Sequence, residues 1–94
     1  MSTTGSTTAN VVPVSASTTS ASLLTTSNGR RAFIAVNTTG AIAYLRFGSA
    51  AATSADYSVA IAAGATYESP IGGYAGPIQV ILASGSGTVL VTSW

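Results

Sequence analysis

Short apolar stretches recur along the chain from Leu23 onward, at intervals of about ten residues, with turn-forming residues between them. Apolar side chains alternate within these stretches: Ile78, Val80 and Leu82, for example, share one face of an extended segment. This pattern predicts β-strands with the spacing of an antiparallel sandwich or barrel. The predicted strands are 22–27, 31–37, 42–48, 57–62, 65–69, 77–83 and 87–93.

Turn chemistry separates the predicted strands. Asn28 and Gly29 give the strongest signal, because both residues tolerate the positive φ of a type I′ hairpin. The alanine-rich segment 50–55 has no apolar face, so we expect a loop or a single turn there rather than a helix. The fold class that follows is all-β: a small antiparallel β-sandwich or jelly-roll-like domain. Further turns are predicted at 38–40, 63–64 and 84–87.

The beginning of the chain has a different composition. It carries no charged side chain before residue 30, and 15 of its first 27 residues are Ser or Thr, which cannot form a core alone. Val11, Val12 and Val14 surround Pro13 and predict a short extended piece that the proline confines to an edge. We therefore divide the chain into an extended N-terminal arm at 1–19 and a β-sandwich domain at 20–94; a disordered tail is the alternative for the arm.

The predicted strands lack a truly polar face. Ala43 and Leu45 fall on one side of the strand at 42–48, and Ile42 and Tyr44 fall on the other. A lone sandwich would place charged residues on its outer side. The pattern therefore indicates a second contact surface in addition to the core.

The side chains that catalysis usually needs are mostly missing. The chain has no His, Cys or Lys, and only 5% of its residues are charged. It therefore lacks an ordinary base to activate a serine, a thiolate nucleophile and the ligands of a soft-metal site. We expect no enzymatic activity, no cofactor and no metal site.

The charge content also narrows the class of partner. Three arginines cannot form the basic stripe that binds nucleic acid. No apolar run approaches the roughly 18 residues of a membrane helix, so neither nucleic acid nor membrane is an expected partner. A net charge of +1 gives almost no repulsion between copies, which favours self-association or a place within an assembly.

The segment from Arg31 to Trp94 resembles a module of small structural proteins of tailed bacteriophages. This resemblance implies a compact β domain in the virion, either a capsid decoration (cement) protein or a part of the tail apparatus. The matching pieces are Tyr44-Leu45-Arg46-Phe47-Gly48-Ser49, Ala55-Asp56-Tyr57-Ser58-Val59, Gly64-Ala65-Thr66-Tyr67-Glu68, Tyr74-Ala75-Gly76-Pro77-Ile78 and Gly87-Thr88-Val89-Leu90-Val91-Thr92.

The leading functional hypothesis from this resemblance is a non-enzymatic decoration protein on the outer capsid surface. Such a protein binds the major capsid protein, and the resemblance together with capsid symmetry implies a homotrimer. The arm at 1–19 lies outside the resemblance but is similar to arms by which cement proteins lash capsid subunits together. The alternatives are a carbohydrate-binding or host-adhesive module of a fibre or spike, and a tail or neck component.

Several residues have both a structural and a functional interpretation. Arg46 and Glu68 lie on neighbouring predicted strands, and we expect them to form an ion pair rather than reach a partner. Asp56 is expected to close an Asx-type turn. Arg30 and Arg31 follow the predicted hairpin turn and are interpreted first as a solvated tip, second as a capsid contact.

The aromatic side chains are expected to pack in the core or an interface, with stacking on sugar rings as the alternative. Tyr74 is the best exposed candidate because glycines flank it. Asn37 begins a glycosylation sequon, a short pattern that also occurs by chance. The candidate partner-binding residues are Val11, Val12, Val14, Arg30, Arg31 and Tyr74.

Overall fold

The computed structural model describes residues 9–27, 29–70 and 73–94, and the regular structure of these residues is entirely β. This confirms the all-β prediction. The strands are β1 (Asn10–Ser17), β2 (Ala21–Leu24), β3 (Phe33–Asn37), β4 (Ala43–Phe47), β5 (Val59–Ile61), β6 (Thr66–Glu68), β7 (Ile78–Leu82) and β8 (Ser86–Ser93).

The strands form two four-stranded antiparallel sheets packed as a sandwich. Sheet A has the order β1-β8-β3-β6, and sheet B has the order β2-β7-β4-β5. The first and last strands are neighbours, and the chain passes repeatedly from one sheet to the other. This is the strand order of a jelly roll, so the predicted sandwich or jelly-roll-like fold is confirmed.

The core lies between the two sheets because alternate side chains of each strand point inward. In β3 and in β7, the first, third and fifth residues are buried and the second and fourth are partly exposed. Phe33, Leu45 and Ile78 are among the largest fully buried side chains. Each such side chain contributes about 1.5–3 kcal/mol relative to an exposed position, which offsets the small size of the domain.

Residues 10–17, which the sequence analysis assigned to an arm, form an edge strand of sheet A. They form β1 and pair with β8 along their whole length, from Asn10 beside Ser93 to Ser17 beside Ser86. Ala16 is buried in the core. The boundary predicted at residue 19 is therefore wrong for this segment, because an edge strand takes its hydrogen bonds from its neighbour and needs only one apolar face. Residues 1–8 lie outside the described residues.

Arg30 N–H donates to Ser27 O at 3.0 Å, so a turn is present where the sequence predicted one, but the predicted hairpin is wrong. β2 lies in sheet B and β3 lies in sheet A, so residues 25–32 cross between sheets. A two-residue turn joins strands of one sheet and cannot span the roughly 10 Å between packed sheets. Asn28 lies outside the described residues, and Gly29 is not among the described residues with positive φ, which are Gly48, Gly64 and Gly85.

The inclusion of β1 in the core can be tested with a matched pair of variants. Ala16→Asp places a carboxylate at a position that is 3% exposed, whereas Ser15→Asp places it on the exposed side of the same strand. We expect Ala16→Asp to lower the free energy of unfolding by about 3 kcal/mol or more, and Ser15→Asp to change it by less than about 0.5 kcal/mol. Urea denaturation measures both, and equal stability would show that β1 does not belong to the core.

Candidate interaction surfaces

The outward side of sheet A is a largely apolar surface, which we call the sheet A face. The strand register sets its residues in two rows, each of which crosses all four strands. The first row is Val11, Thr92, Ile34 and Glu68, and the second row is Pro13, Leu90, Val36 and Thr66.

Five of these eight side chains are aliphatic and two are threonines. Glu68, at the β6 edge, is the single ionisable group in the two rows. Val11 is 64% exposed, while Ile34, Val36 and Leu90 are partly exposed. Contiguous apolar patches of this kind mark contact surfaces more often than isolated exposed residues do.

Pro13 gives the adjoining edge of sheet A a particular property. β1 is an edge strand, so one side of its backbone faces away from β8. Proline has no N–H to donate, and it is tolerated in a strand where that side of the backbone faces outward. A strand added to this edge by another chain would therefore miss one hydrogen bond in the middle of β1. The sheet A face, rather than its edge, is the surface available for a regular contact.

The outward side of sheet B carries an aromatic pair and an ion pair. The rings of Tyr44 and Tyr57 lie 4.8 Å apart, and Tyr57 is 44% exposed. Arg46 Nε lies 3.1 Å from Asp56 Oδ2. Because the Asp56 side chain is 65% exposed, this ion pair contributes no more than about 1 kcal/mol.

The ion pair replaces the one that the sequence predicted. Arg46 lies on β4 in sheet B and Glu68 lies on β6 in sheet A, so the two cannot pair across a sheet. The prediction assumed that strands close together in the sequence are neighbours in one sheet. In this jelly roll most consecutive strands lie in different sheets. The Asx-turn prediction for Asp56 is wrong as well: the Ser58 N–H, which would donate to the Asp56 carboxylate in such a turn, donates to Leu45 O at 2.6 Å, and the carboxylate pairs with Arg46.

Arg30 is buried rather than solvated at a hairpin tip. It is 8% exposed; its Nη1 donates to Thr25 O at 3.0 Å and its Nη2 donates to Gly76 O at 2.5 Å. The guanidinium also lies 6.0 Å from the centre of the Phe33 ring. The prediction failed because residues 25–32 cross between sheets, and their carbonyl groups need a donor there.

Burial also affects the electrostatics of Arg30. Removal of the guanidinium from water lowers the pKa of Arg30 from its ordinary value, and the neighbouring Tyr74 acts in the opposite direction. Arginine remains charged at neutral pH under such a shift. Arg31 is partly exposed, and its backbone N–H donates to Trp94 O at 2.5 Å.

Tyr74 is less prominent than its flanking glycines suggested. Its ring stacks on Phe47 with 5.3 Å between ring centres and an angle of 4°, so one face of the ring is occupied. Its hydroxyl also lies over Gly76, where a Cβ atom would fall 2.3 Å from it. Tyr74 remains 38% exposed, and Gly72 lies outside the described residues.

The three valines proposed as partner contacts occupy different environments. Val11 belongs to the sheet A face, and Val14 packs against the core. Val12 alternates with Val11 and therefore lies on the inward side, yet it is 47% exposed. The structure therefore brings only Val11 into the sheet A face, and sequence spacing alone did not separate these roles.

Asn37, the first residue of the sequon, is a buried structural residue. Its side-chain amide donates to Ala41 O, Ile61 O and Ala62 O at 2.8, 2.9 and 3.1 Å. Its Oδ1 accepts from both the backbone N–H and the hydroxyl of Thr39. Asn37 therefore fastens the β3–β4 loop to the β5–β6 loop, a role that its sequence context did not signal.

The described part of the chain contains no group of three or more His, Cys, Asp or Glu side chains that could hold a metal ion. It also contains no helix long and apolar enough to span a membrane.

No protein-family model, no curated protein and no solved structure shows a significant match to this chain. The resemblance to phage structural proteins remains an expectation from the sequence.

Asn37 and Thr38 provide a test of the loop junction. Asn37→Ala leaves the buried carbonyl group of Ile61 and two partly buried carbonyl groups without their donor, and we expect a loss of about 2–4 kcal/mol in the free energy of unfolding. Thr38→Ala removes a hydroxyl that donates to Thr88 O at an exposed position, so a loss below about 1 kcal/mol is expected. Thermal denaturation compares the two; an equal effect would contradict the central role of Asn37.

Proposed function

We propose that this protein is a non-enzymatic structural protein of a phage virion, which decorates the outer capsid surface and stabilises it by binding the major capsid protein. The sequence segments that resemble phage structural proteins support the virion assignment. The observation that carries the decoration role is the sheet A face, an apolar and almost uncharged surface on a domain with few other means of recognition.

The composition of the sheet A face determines how it would bind. Apolar and hydroxyl side chains gain by exclusion of water, and salt screens such contacts very little. On a lattice of identical subunits, one apolar surface that matches the sheet A face would be repeated many times. The decoration role therefore needs no catalytic group and no strong charge on this protein.

The size of the sheet A face sets the strength of one contact. Four strands about 4.8 Å apart, with two residue rows about 7 Å apart, cover roughly 250 Å². Burial of that area together with an equal area of the partner contributes at most about 12 kcal/mol, which lies within the roughly 4–15 kcal/mol that association costs. One copy alone would bind weakly. A homotrimer on the capsid would present three such faces together and would bind more tightly through avidity. The proposal therefore includes a homotrimer.

A host-adhesive or carbohydrate-binding role is the second candidate. The exposed ring of Tyr57 beside Tyr44, with the Arg46–Asp56 ion pair next to them, is the observation that favours it. Aromatic rings stack on sugars, and charged groups hydrogen-bond sugar hydroxyls. A tail or neck position would use the same apolar contacts as the decoration role and differ only in its partner.

Two lysine substitutions on central strands identify the contact surface. Leu90→Lys introduces a charge into the sheet A face, and Ile81→Lys introduces one at an equally partly exposed position on the outward side of sheet B. We expect Leu90→Lys to abolish co-sedimentation with phage particles that lack the protein, and Ile81→Lys to retain it, because a desolvated lysine is costly.

Wild-type protein is expected to remain attached at about 1 M sodium chloride, where the screening length is about 3 Å. Loss of attachment in Ile81→Lys but not in Leu90→Lys would assign the contact to sheet B. Circular dichroism of both variants establishes that they are folded.

Particles with and without the protein distinguish decoration from adhesion. If the protein decorates the capsid, particles without it should release their genome at a lower temperature and adsorb to host cells normally. The reason is linkage: a ligand at a hundredfold excess over its Kd stabilises the intact lattice by about 2.7 kcal/mol per site. Unchanged heat release with impaired adsorption would overturn the decoration role and support the adhesive one.

A further inference from the structure

Two tyrosine side chains lie against each other on the outward side of sheet B. The ring centres of Tyr44 and Tyr57 are 4.8 Å apart, near the short end of the roughly 4.5–7 Å range of aromatic pairs, and the ring planes are tilted by 52°. The other two tyrosines of the chain, Tyr67 and Tyr74, each pack against a phenylalanine instead. Among the described residues, Tyr44 and Tyr57 therefore form the single contact between two phenol rings.

The residues on both sides of Tyr57 are tied to β4, the strand that carries the other ring of the pair. Ser58 N–H donates to Leu45 O at 2.6 Å, and Asp56 Oδ2 lies 3.1 Å from Arg46 Nε. β4 is itself paired with β5 on one side and β7 on the other. The two phenols are therefore held in one geometry, and groups held in this way react far faster than the same groups in free solution.

Both phenol rings are open to an oxidant in solution. Tyr57 is 44% exposed, and Tyr44 is partly exposed on the outward side of β4. The chain has no cysteine, whose thiolate is the usual first target of oxidants, and it has one methionine and one tryptophan. The four tyrosines are therefore the largest group of oxidisable side chains in this protein.

From the ring contact, the fixed loop and the exposure of both rings, we propose that Tyr44 and Tyr57 form a modification site at which oxidation joins the two side chains as dityrosine. The co-reactant is a peroxide that acts through a haem peroxidase. Each phenol gives up one electron and one proton, and the two phenoxyl radicals form a carbon–carbon bond between one Cε atom of each ring. The hydrogen on each coupled carbon then moves to the phenol oxygen, which restores both aromatic rings. The peroxide takes up the two electrons and two protons, its O–O bond breaks, and it leaves as two water molecules.

The geometry of the pair suits this bond. The centres of two directly bonded phenol rings lie only slightly closer together than 4.8 Å, so coupling needs little movement of either side chain. The product would link β4 to the loop before β5. Like a disulfide, it would restrict the unfolded chain, and a domain without cysteine has no disulfide to supply that constraint. This assignment is independent of the proposed function.

Peroxidase treatment of the dilute, purified protein tests the proposal. With stoichiometric hydrogen peroxide, we expect a monomer that shows dityrosine fluorescence and whose mass is lower by two hydrogen atoms. Trypsin cleaves after Arg46, which separates Tyr44 from the other three tyrosines in the digest. A covalent link between the peptides 32–46 and 47–94 therefore identifies a bond to Tyr44.

Phenylalanine substitutions remove single phenol groups and keep the ring contacts. Tyr44→Phe and Tyr57→Phe should each lower the yield of linked monomer by about tenfold or more, because one of the two positioned radicals is missing. Tyr74→Phe is the matched control: Tyr74 is 38% exposed but stacks on Phe47, so its loss should leave the yield at the wild-type level. Circular dichroism establishes that all three variants are folded.

Treatment in urea separates the folded arrangement from chance coupling. Unfolding removes the fixed geometry, so the yield of linked monomer should fall by about tenfold or more. An equal yield in urea, a full yield in folded Tyr57→Phe, or products that are mainly dimers would each overturn the proposal.

The linked monomer should also be more stable than the untreated protein. Restriction of the unfolded chain should raise its Tm by about 5–15 °C. Treated Tyr74→Phe should show the same rise, and treated Tyr57→Phe should show none. A linked wild-type monomer with an unchanged or lower Tm would show that the bond does not fit the folded geometry, which contradicts the proposal.

Discussion

The structure depends on two buried polar side chains that donate hydrogen bonds to the loops between the sheets. In a jelly roll the chain crosses repeatedly from one sheet to the other, and the carbonyl groups of the crossing segments leave the strand ladders. Asn37 donates to three such carbonyl groups, and Arg30 donates to two. The carbonyl group of Ile61 is buried and the other four are partly buried, so these two donors help to hold the loops in position.

The sequence predicted what depends on local alternation and missed what depends on long-range topology. β3 and β7 were found because their apolar positions repeat at every second residue. An extended piece confined to an edge by Pro13 was predicted within β1, but its place in the sandwich was missed, because that place depends on pairing with β8 at the far end of the chain. Turn residues at 28–29 gave no information about which sheet would receive the next strand.

The candidate surfaces also differ in whether they depend on local alternation or on long-range topology. The apolar positions Ile42 and Tyr44 led to the prediction of a second contact surface, but the strand at 42–48 lies in sheet B, so the prediction did not locate the sheet A face. The meeting of Arg30 with the ends of β1 and β8 could not be predicted, because it joins positions far apart in the chain. The pairing of Arg46 with Asp56 required knowledge that the strand carrying Glu68 belongs to the other sheet.

The shape of the sheet edges has a consequence for strand-by-strand aggregation of the protein. The edge strands are β1 and β6 in sheet A and β2 and β5 in sheet B. β2, β5 and β6 contain four, three and three residues, and the longer β1 is interrupted by Pro13. None offers a long unbroken backbone on which a fibril could grow. A protein with almost no surface charge therefore resists amyloid-like polymerisation through its backbone geometry, and its colloidal behaviour should depend little on ionic strength.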